Sequence, residues 1–131
     1  MTLSIASDGR YARVARTVVA SCASLRGFSV DDLGDVRLLV DTAFHAFAEI
    51  AAGPVEIRVR SGAHEVHVEM SVRRDGDRRL SEPDARILET VAAVIGSARE
   101  LVEAGQQLTL RVTLRAFDEE TGPETSSRDE R

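Results

Sequence analysis

The sequence predicts an α+β domain: a two-layer sandwich of three helices on a mostly antiparallel, four- to five-stranded sheet. Three observations carry this. In three stretches apolar residues recur every three or four positions, the spacing of amphipathic helices. In two others they alternate with polar residues on either side of a glycine-containing turn, the spacing of β-hairpins. Each hairpin offers one apolar face, so the helices can cover one side of a single sheet while the other stays wet.

Taken in order, residues 2–6 (TLSIA) alternate at Leu3 and Ile5 and read as an edge strand. Tyr11, Val14, Val18, Cys22 and Leu25 form the stripe of a first helix, expected to face the core, and Gly27 fits its stop. Ser29-Val30-Asp31-Asp32 has the form of a capping box, with Asp in place of the usual Glu. It opens a helix over residues 30–52 with Leu33, Val36, Val40, Ala43, Phe44, Phe47 and Ile50 inward, ended by Gly53-Pro54. Val55, Ile57 and Val59, then Val66, Val68, Met70 and Val72, make the first hairpin around residues 61–63. Residues 73–79 (RRDGDRR) are a charged loop. Residues 81–84 (SEPD) start a third helix, with Pro in its first turn and acids at the positive end of the dipole. Its expected inner face is Ile87, Leu88, Val91, Val94 and Ile95, and Gly96 fits its stop. Leu108, Leu110, Val112 and Leu114 form the last strand, and Gly105 makes residues 99–103 its hairpin partner.

At 131 residues the chain is one domain's worth, and 43% hydrophobic residues suffice for a core. The domain is expected over residues 1–117. The tail 118–131 (DEETGPETSSRDER) has no aliphatic or aromatic side chain to offset its ordering entropy and is expected to be disordered. The formal net charge of −5 argues against direct nucleic-acid binding. All 17 basic residues are arginine, which reads as coding bias. The single cysteine allows no internal disulfide. No signal pattern and no apolar run of roughly 20 residues is present, so no membrane association and a cytoplasmic location are expected.

No complete active-site motif is present. Asp41, His45 and Glu49 lie four apart on one helix, a spacing that can converge on a metal, yet no further ligand is placed to complete a site and a solvated face is the better reading. His64 and His67 are three apart on a strand and would point to opposite faces. Asp75-Gly76-Asp77 reads as a turn, and Cys22 as packing. Arg10, Arg13 and Arg16 lie off the first helix's stripe, either solvated or facing an acidic protein partner. By themselves the residues describe a binding module or an inactive enzyme-like fold.

The order of elements and two segments resemble the RsbW/SpoIIAB-type anti-sigma factors of the GHKL (Bergerat, histidine-kinase-like) ATPase superfamily. The segments are residues 11–49 (YARVARTVVASCASLRGFSVDDLGDVRLLVDTAFHAFAE) and 55–72 (VEIRVRSGAHEVHVEMSV). The resemblance spans residues 2–116. It implies the Bergerat fold and an ATP-dependent serine kinase that binds a sigma factor and is released by a STAS-type anti-anti-sigma partner, with a homodimer among its assemblies. It further implies a catalytic Glu where Thr42 stands and a Mg²⁺-holding Asn where Ala46 stands. The family's D-x-G-x-G box is reduced here to Asp75-Gly76-Asp77, and its lid glycines are missing from residues 80–88 (LSEPDARIL). A threonine hydroxyl needs a partner base and an alanine cannot hold a metal. The expected ATP site, around Asp41, Thr42, His45, Ala46, Asp75 and Gly76, is therefore degenerate. No catalytic residue, metal or obligate cofactor is assigned. The expected partner contacts are Arg10, Arg13 and Arg16. The expectation is a pseudokinase-like regulator of stress-response transcription. Alternatives are an active ATP/Mg²⁺ serine kinase, in which Asp41 takes the place of the Glu, and a non-catalytic scaffold.

Overall fold

A computed structural model describes residues 1–96 and 98–116; the expected tail at 118–131 lies outside them. The strands are β1 (Thr2–Ile5), β2 (Val55–Ser61), β3 (Glu65–Arg73), β4 (Ala98–Ala104) and β5 (Gln107–Arg115). The helices are α1 (Ala12–Ser24), preceded by a 3-10 turn at Gly9–Tyr11, α2 (Val30–Ile50) and α3 (Glu82–Ile95). The sheet order is β1-β2-β3-β5-β4, every neighbour antiparallel. The α+β sandwich of three helices on an antiparallel sheet is thus present, with five strands.

Local chemistry accounts for the boundaries. Ser29 Oγ accepts from the Asp32 N–H at 3.1 Å while the Asp32 carboxylate accepts from the Ser29 N–H at 3.2 Å, completing the capping box of α2. Ser81 Oγ accepts from the Asp84 N–H at 3.1 Å in the same way, with Pro83 in the first turn of α3. Register fixes which face each strand buries. Val59 opposes Val68, which opposes Val112, and Ile57 opposes Met70, which opposes Leu110; all six are buried under the helices. Phe44 and Phe47 of α2 are fully buried against this face, so α2 is the central helix. Gly105, at φ +62°, opens the two-residue turn between β4 and β5, a backbone that a Cβ would strain.

Two helices bury different residues from those the spacing suggested. In α1 the core-facing stripe is Ala12, Ala15, Val19 and Ala23, all at 3% exposure or less. Tyr11, Val14 and Leu25 stand in solvent at 40%, 44% and 83%, with Val18 and Cys22 half-buried. The helix carries two apolar stripes, and the small-residue one lets its backbone pack closely beside α2. In α3 the inner residues are Leu88 and Ala92, with Val91 and Ile95 half-buried, whereas Ile87 and Val94 are exposed. The charged loop after β3 is also not wholly solvated: Arg74 is only 6% exposed.

Candidate functional site

The positions that the sequence singles out on α2 diverge around the helix. Thr42, His45, Ala46 and Glu49 turn towards α3 and, with Asp84 and Ile87, line a cleft of about 200 Å³. Sites that bury a small-molecule ligand run to roughly 300–1,000 Å³. The Thr42 hydroxyl donates to the Leu38 carbonyl one turn back, at 2.7 Å, so its proton is committed to its own helix. Ala46 is buried at 7% and brings only a methyl group. The acids at the cleft are Glu49 and Asp84.

Asp41 turns the other way, towards α1, where its carboxylate accepts from the Arg16 guanidinium and lies 3.4 Å from His45 Nε2. Gly9 makes room for this cluster: a Cβ there would sit 3.2 Å from His45 Cε1. Among the described residues no three His, Cys, Asp or Glu side chains converge as a metal-holding group. Asp75 and Gly76 lie at the far end of α2. There the Asp75 N–H donates to the Ile50 carbonyl and Gln106 Nε2 donates to the Gly76 carbonyl. The expected degenerate site is therefore spread over three places: the α2–α3 cleft, the α1–α2 ion pair, which shares His45 with that cleft, and the C-terminal end of α2.

The three arginines of the first helical region also separate. Arg10 belongs to the 3-10 turn and pairs with Asp8 at 2.9 Å. The Arg10 backbone N–H, then its guanidinium, hold the Asp8 carboxyl below its ordinary value of 3.8. Arg16 is half-buried and pairs with Asp41 of α2. Arg13 remains exposed on the outer side of α1.

Two arrangements were not legible in the sequence. On the open sheet face Glu65 Oε2 lies 2.7 Å from His67 Nε2, and His67 Nδ1 lies 3.0 Å from Thr113 Oγ1. That order of carboxylate, imidazole and hydroxyl is the order of a nucleophilic triad. Thr113, however, lies mid-strand with ladders on both sides, to His67 of β3 and Ala98 of β4, which take up the backbone amides an oxyanion would need. The cluster continues as an ion-pair lattice, Arg115–Glu65, Arg58–Glu69 and Arg111–Glu69, across a polar face. His64 sits in the β2–β3 turn rather than on the strand, its Nδ1 4.0 Å from where a Gly27 Cβ would stand, so the expected strand spacing with His67 does not hold. Only the β3–β5 register could have joined Thr113 to His67.

The second arrangement is Arg74, whose Nη2 donates to the Gly105 carbonyl at 2.6 Å and to Gln106 Oε1 at 3.3 Å. It fastens the β4–β5 turn to the chain leaving β3. Its one sequence signal is position: it continues β3 beyond the last alternating residue, in register with Ala51.

No helix among the described residues is long and apolar enough to cross a membrane. No family model matches the chain, and no curated protein matches it.

Proposed function

We propose that this chain is an anti-sigma-factor-like regulator of the RsbW/SpoIIAB type on a degenerate histidine-kinase-like ATPase (Bergerat) scaffold. It acts by mutually exclusive protein binding rather than by phosphoryl transfer. It holds a sigma factor away from core polymerase, and a STAS-type anti-anti-sigma protein takes its place, the balance being set by differential affinity. The observation that carries this reading is the state of α2. At the positions where the resemblance places a catalytic Glu and a Mg²⁺-holding Asn, Thr42 donates its proton to its own backbone and Ala46 is a buried methyl. The three-helix, five-strand antiparallel layout is compatible with the α+β sandwich class that this reading requires. Asp41 is the one acid adjacent in sequence to the expected Glu, and its salt bridge to Arg16 points it away from the cleft.

Thermal unfolding with and without millimolar ATP or ADP and Mg²⁺ tests the non-kinase half. A ligand at about 100 times its Kd adds roughly 2.7 kcal/mol. In a domain this size that raises Tm by several degrees. We expect no Mg²⁺-dependent rise; a clear one revives the active serine kinase reading. Co-purification with the sigma factors of the source organism tests the binding half. Arg13→Glu should weaken capture without lowering Tm, and undiminished capture by that variant removes Arg13 from the interface.

A further inference from the structure

The helices cover one face of the sheet and leave the other open. Strand alternation sends Arg58 and Arg60 of β2, His67 and Glu69 of β3, and Arg111 and Thr113 of β5 to that open face. Register lays them in two adjoining rows. In one, Arg58 opposes Glu69, Glu69 opposes Arg111, and Arg111 opposes Glu100 of β4. In the next, Arg60 opposes His67, which opposes Thr113. The rows are about 7 Å apart, two residues along each strand. With Arg99 at the sheet edge they line a groove of about 630 Å³. That volume lies within the roughly 300–1,000 Å³ of small-molecule sites.

Charge and composition select the occupant. Four guanidinium groups, those of Arg58, Arg60, Arg99 and Arg111, border the groove against two carboxylates, Glu69 and Glu100. Glu69 accepts from Arg111 at 2.6 Å and lies 3.8 Å from Arg58, and Glu100 lies 3.3 Å from Arg111. Both carboxylates are thus engaged. The neighbouring Glu65 lies 2.7 Å from His67 and 3.5 Å from Arg115. Arg60 and Arg99 are exposed, and their guanidinium groups hold no hydrogen bond or ion pair among the described residues. Two positive charges are therefore uncompensated, in a chain whose formal net charge is −5. Guanidinium forks suit phosphate and carboxylate groups. No aromatic side chain lines the groove, so it offers no platform for a base, and the chain's net charge repels a long nucleic acid. A single exposed ion pair contributes little, so retention needs an anion that reaches several arginines at once.

We infer that the open face of the sheet is a binding site for a small polyanion, a molecule carrying two or more phosphate or carboxylate groups. Arg60 and Arg99 supply the uncompensated charge, and Arg58, only loosely held by Glu69, joins them. The site lies on the sheet face away from α2 and uses none of the residues of the expected nucleotide site, so it stands or falls independently of the anti-sigma reading.

The three histidines make the test local. His67 lies on the groove floor, His45 at the α2–α3 cleft and His64 in the β2–β3 turn. Inorganic pyrophosphate and, separately, citrate are titrated into the full chain at fixed pH and ionic strength while the ring C–H signals are followed by NMR. The expected result is a saturable shift of His67 with a Kd below about 1 mM for at least one of the two, while His45 stays still. The tighter of the two names the anionic group. Sulfate, a single compact dianion, should bind at least roughly fivefold more weakly. Arg60→Gln, which removes no ion pair of the fold, should weaken polyanion binding at least roughly fivefold, whereas Arg13→Gln on α1 should not. Circular dichroism establishes that the variants are folded; if Arg60→Gln is not, Arg99→Gln takes its place. The inference is overturned if neither polyanion moves His67 by about 10 mM, if His45 moves instead, or if sulfate binds equally well. Affinity indifferent to the arginine substitution also overturns it. Other occupants would overturn it in their own ways. A His67 response that appears only with Asp118→Asn, Glu119→Gln and Glu120→Gln together assigns the groove to the chain's own C-terminal segment. A dimer in sedimentation that Arg60→Gln dissociates assigns it to a second copy. A response to a polyglutamate peptide and to neither small anion assigns it to an acidic protein.

Discussion

Replacing Arg74 by Met keeps the buried stem and removes the guanidinium. The consequence can be worked from its partners. The bond to the Gly105 carbonyl, at 2.6 Å, is short and charge-assisted, and such a bond contributes about 1.5–3 kcal/mol. The contact to the Arg78 carbonyl, at 3.5 Å, is at the limit of a hydrogen bond and adds little. Glu103 lies 3.5 Å from Arg74 Nε, but it is 47% exposed and also holds Arg79 at 3.0 Å, so the ion pair itself is worth at most about 1 kcal/mol. The sum for Arg74→Met is about 1.5–4 kcal/mol, and by interpolation for a domain of this length Tm should drop by about 5–15 °C. Glu103→Gln, which removes the ion pairs to Arg74 and Arg79 and keeps the bond to Gly105, should shift Tm by no more than about 4 °C on the same scale. Urea and thermal unfolding followed by circular dichroism read both. A Met variant as stable as the parent would refute the reasoning, because it would mean that the buried cation is replaceable by packing, as is known for some buried ion pairs. A Glu103→Gln loss equal to that of Arg74→Met would refute it differently, by placing the energy in the salt bridge.

The two stripes of α1 are separable by overpacking: Ala15, with no exposed area, should cost about 1–3 kcal/mol as Leu, whereas Val18→Ser should stay within about 1 kcal/mol in the same unfolding assay. Ser29→Ala removes half of the α2 capping box and should lower stability by about 0.5–2 kcal/mol, with amide exchange rising first at the start of α2; exchange unchanged there would show that the cap is redundant. Asp8 titrates below 3.8, so its contribution to stability is fully present above that pH and is lost as pH falls through the folded-state value. Because the larger cause is the Arg10 backbone N–H, Arg10→Ala should return the Asp8 carboxyl only part of the way by NMR titration, and a full return would assign the shift to the guanidinium. Gly105→Ala should cost on the order of 1 kcal/mol in thermal unfolding, since φ +62° is strained for a residue with a Cβ; a neutral result would mean that the turn relaxes.

Period and punctuation were legible wherever they act locally. The alternation of residues 55–59 and 66–72, the Ser-x-x-Asp cap of α2 and the glycine of the β4–β5 turn each specify geometry within a few residues of themselves, and each stands where expected. The inner face of α2 was equally plain, because its large apolar residues lie on one side. α1 misled because both of its stripes satisfy helical spacing. Choosing between alanines and larger aliphatics requires knowing how closely α2 and the sheet approach, which is not a local quantity. Residue size alone favours the wrong stripe. α3 misled for the same reason, with Ala92 inside and Val94 outside.

By itself, then, the sequence determined the class of fold, the number and order of its helices and the absence of familiar nucleotide and nucleophile motifs, because hydrophobic period and turn chemistry are written into neighbouring residues. Tertiary structure alone decided which groups meet. It paired Arg16 of α1 with Asp41 of α2, set His67 between Glu65 and Thr113, drew Arg74 out of a charged loop into a buried anchor and left the larger stripe of α1 facing outward. These pairings join residues 25 to 46 positions apart, except Glu65 and His67. They exist only after register and helix approach have been set by burying the common core.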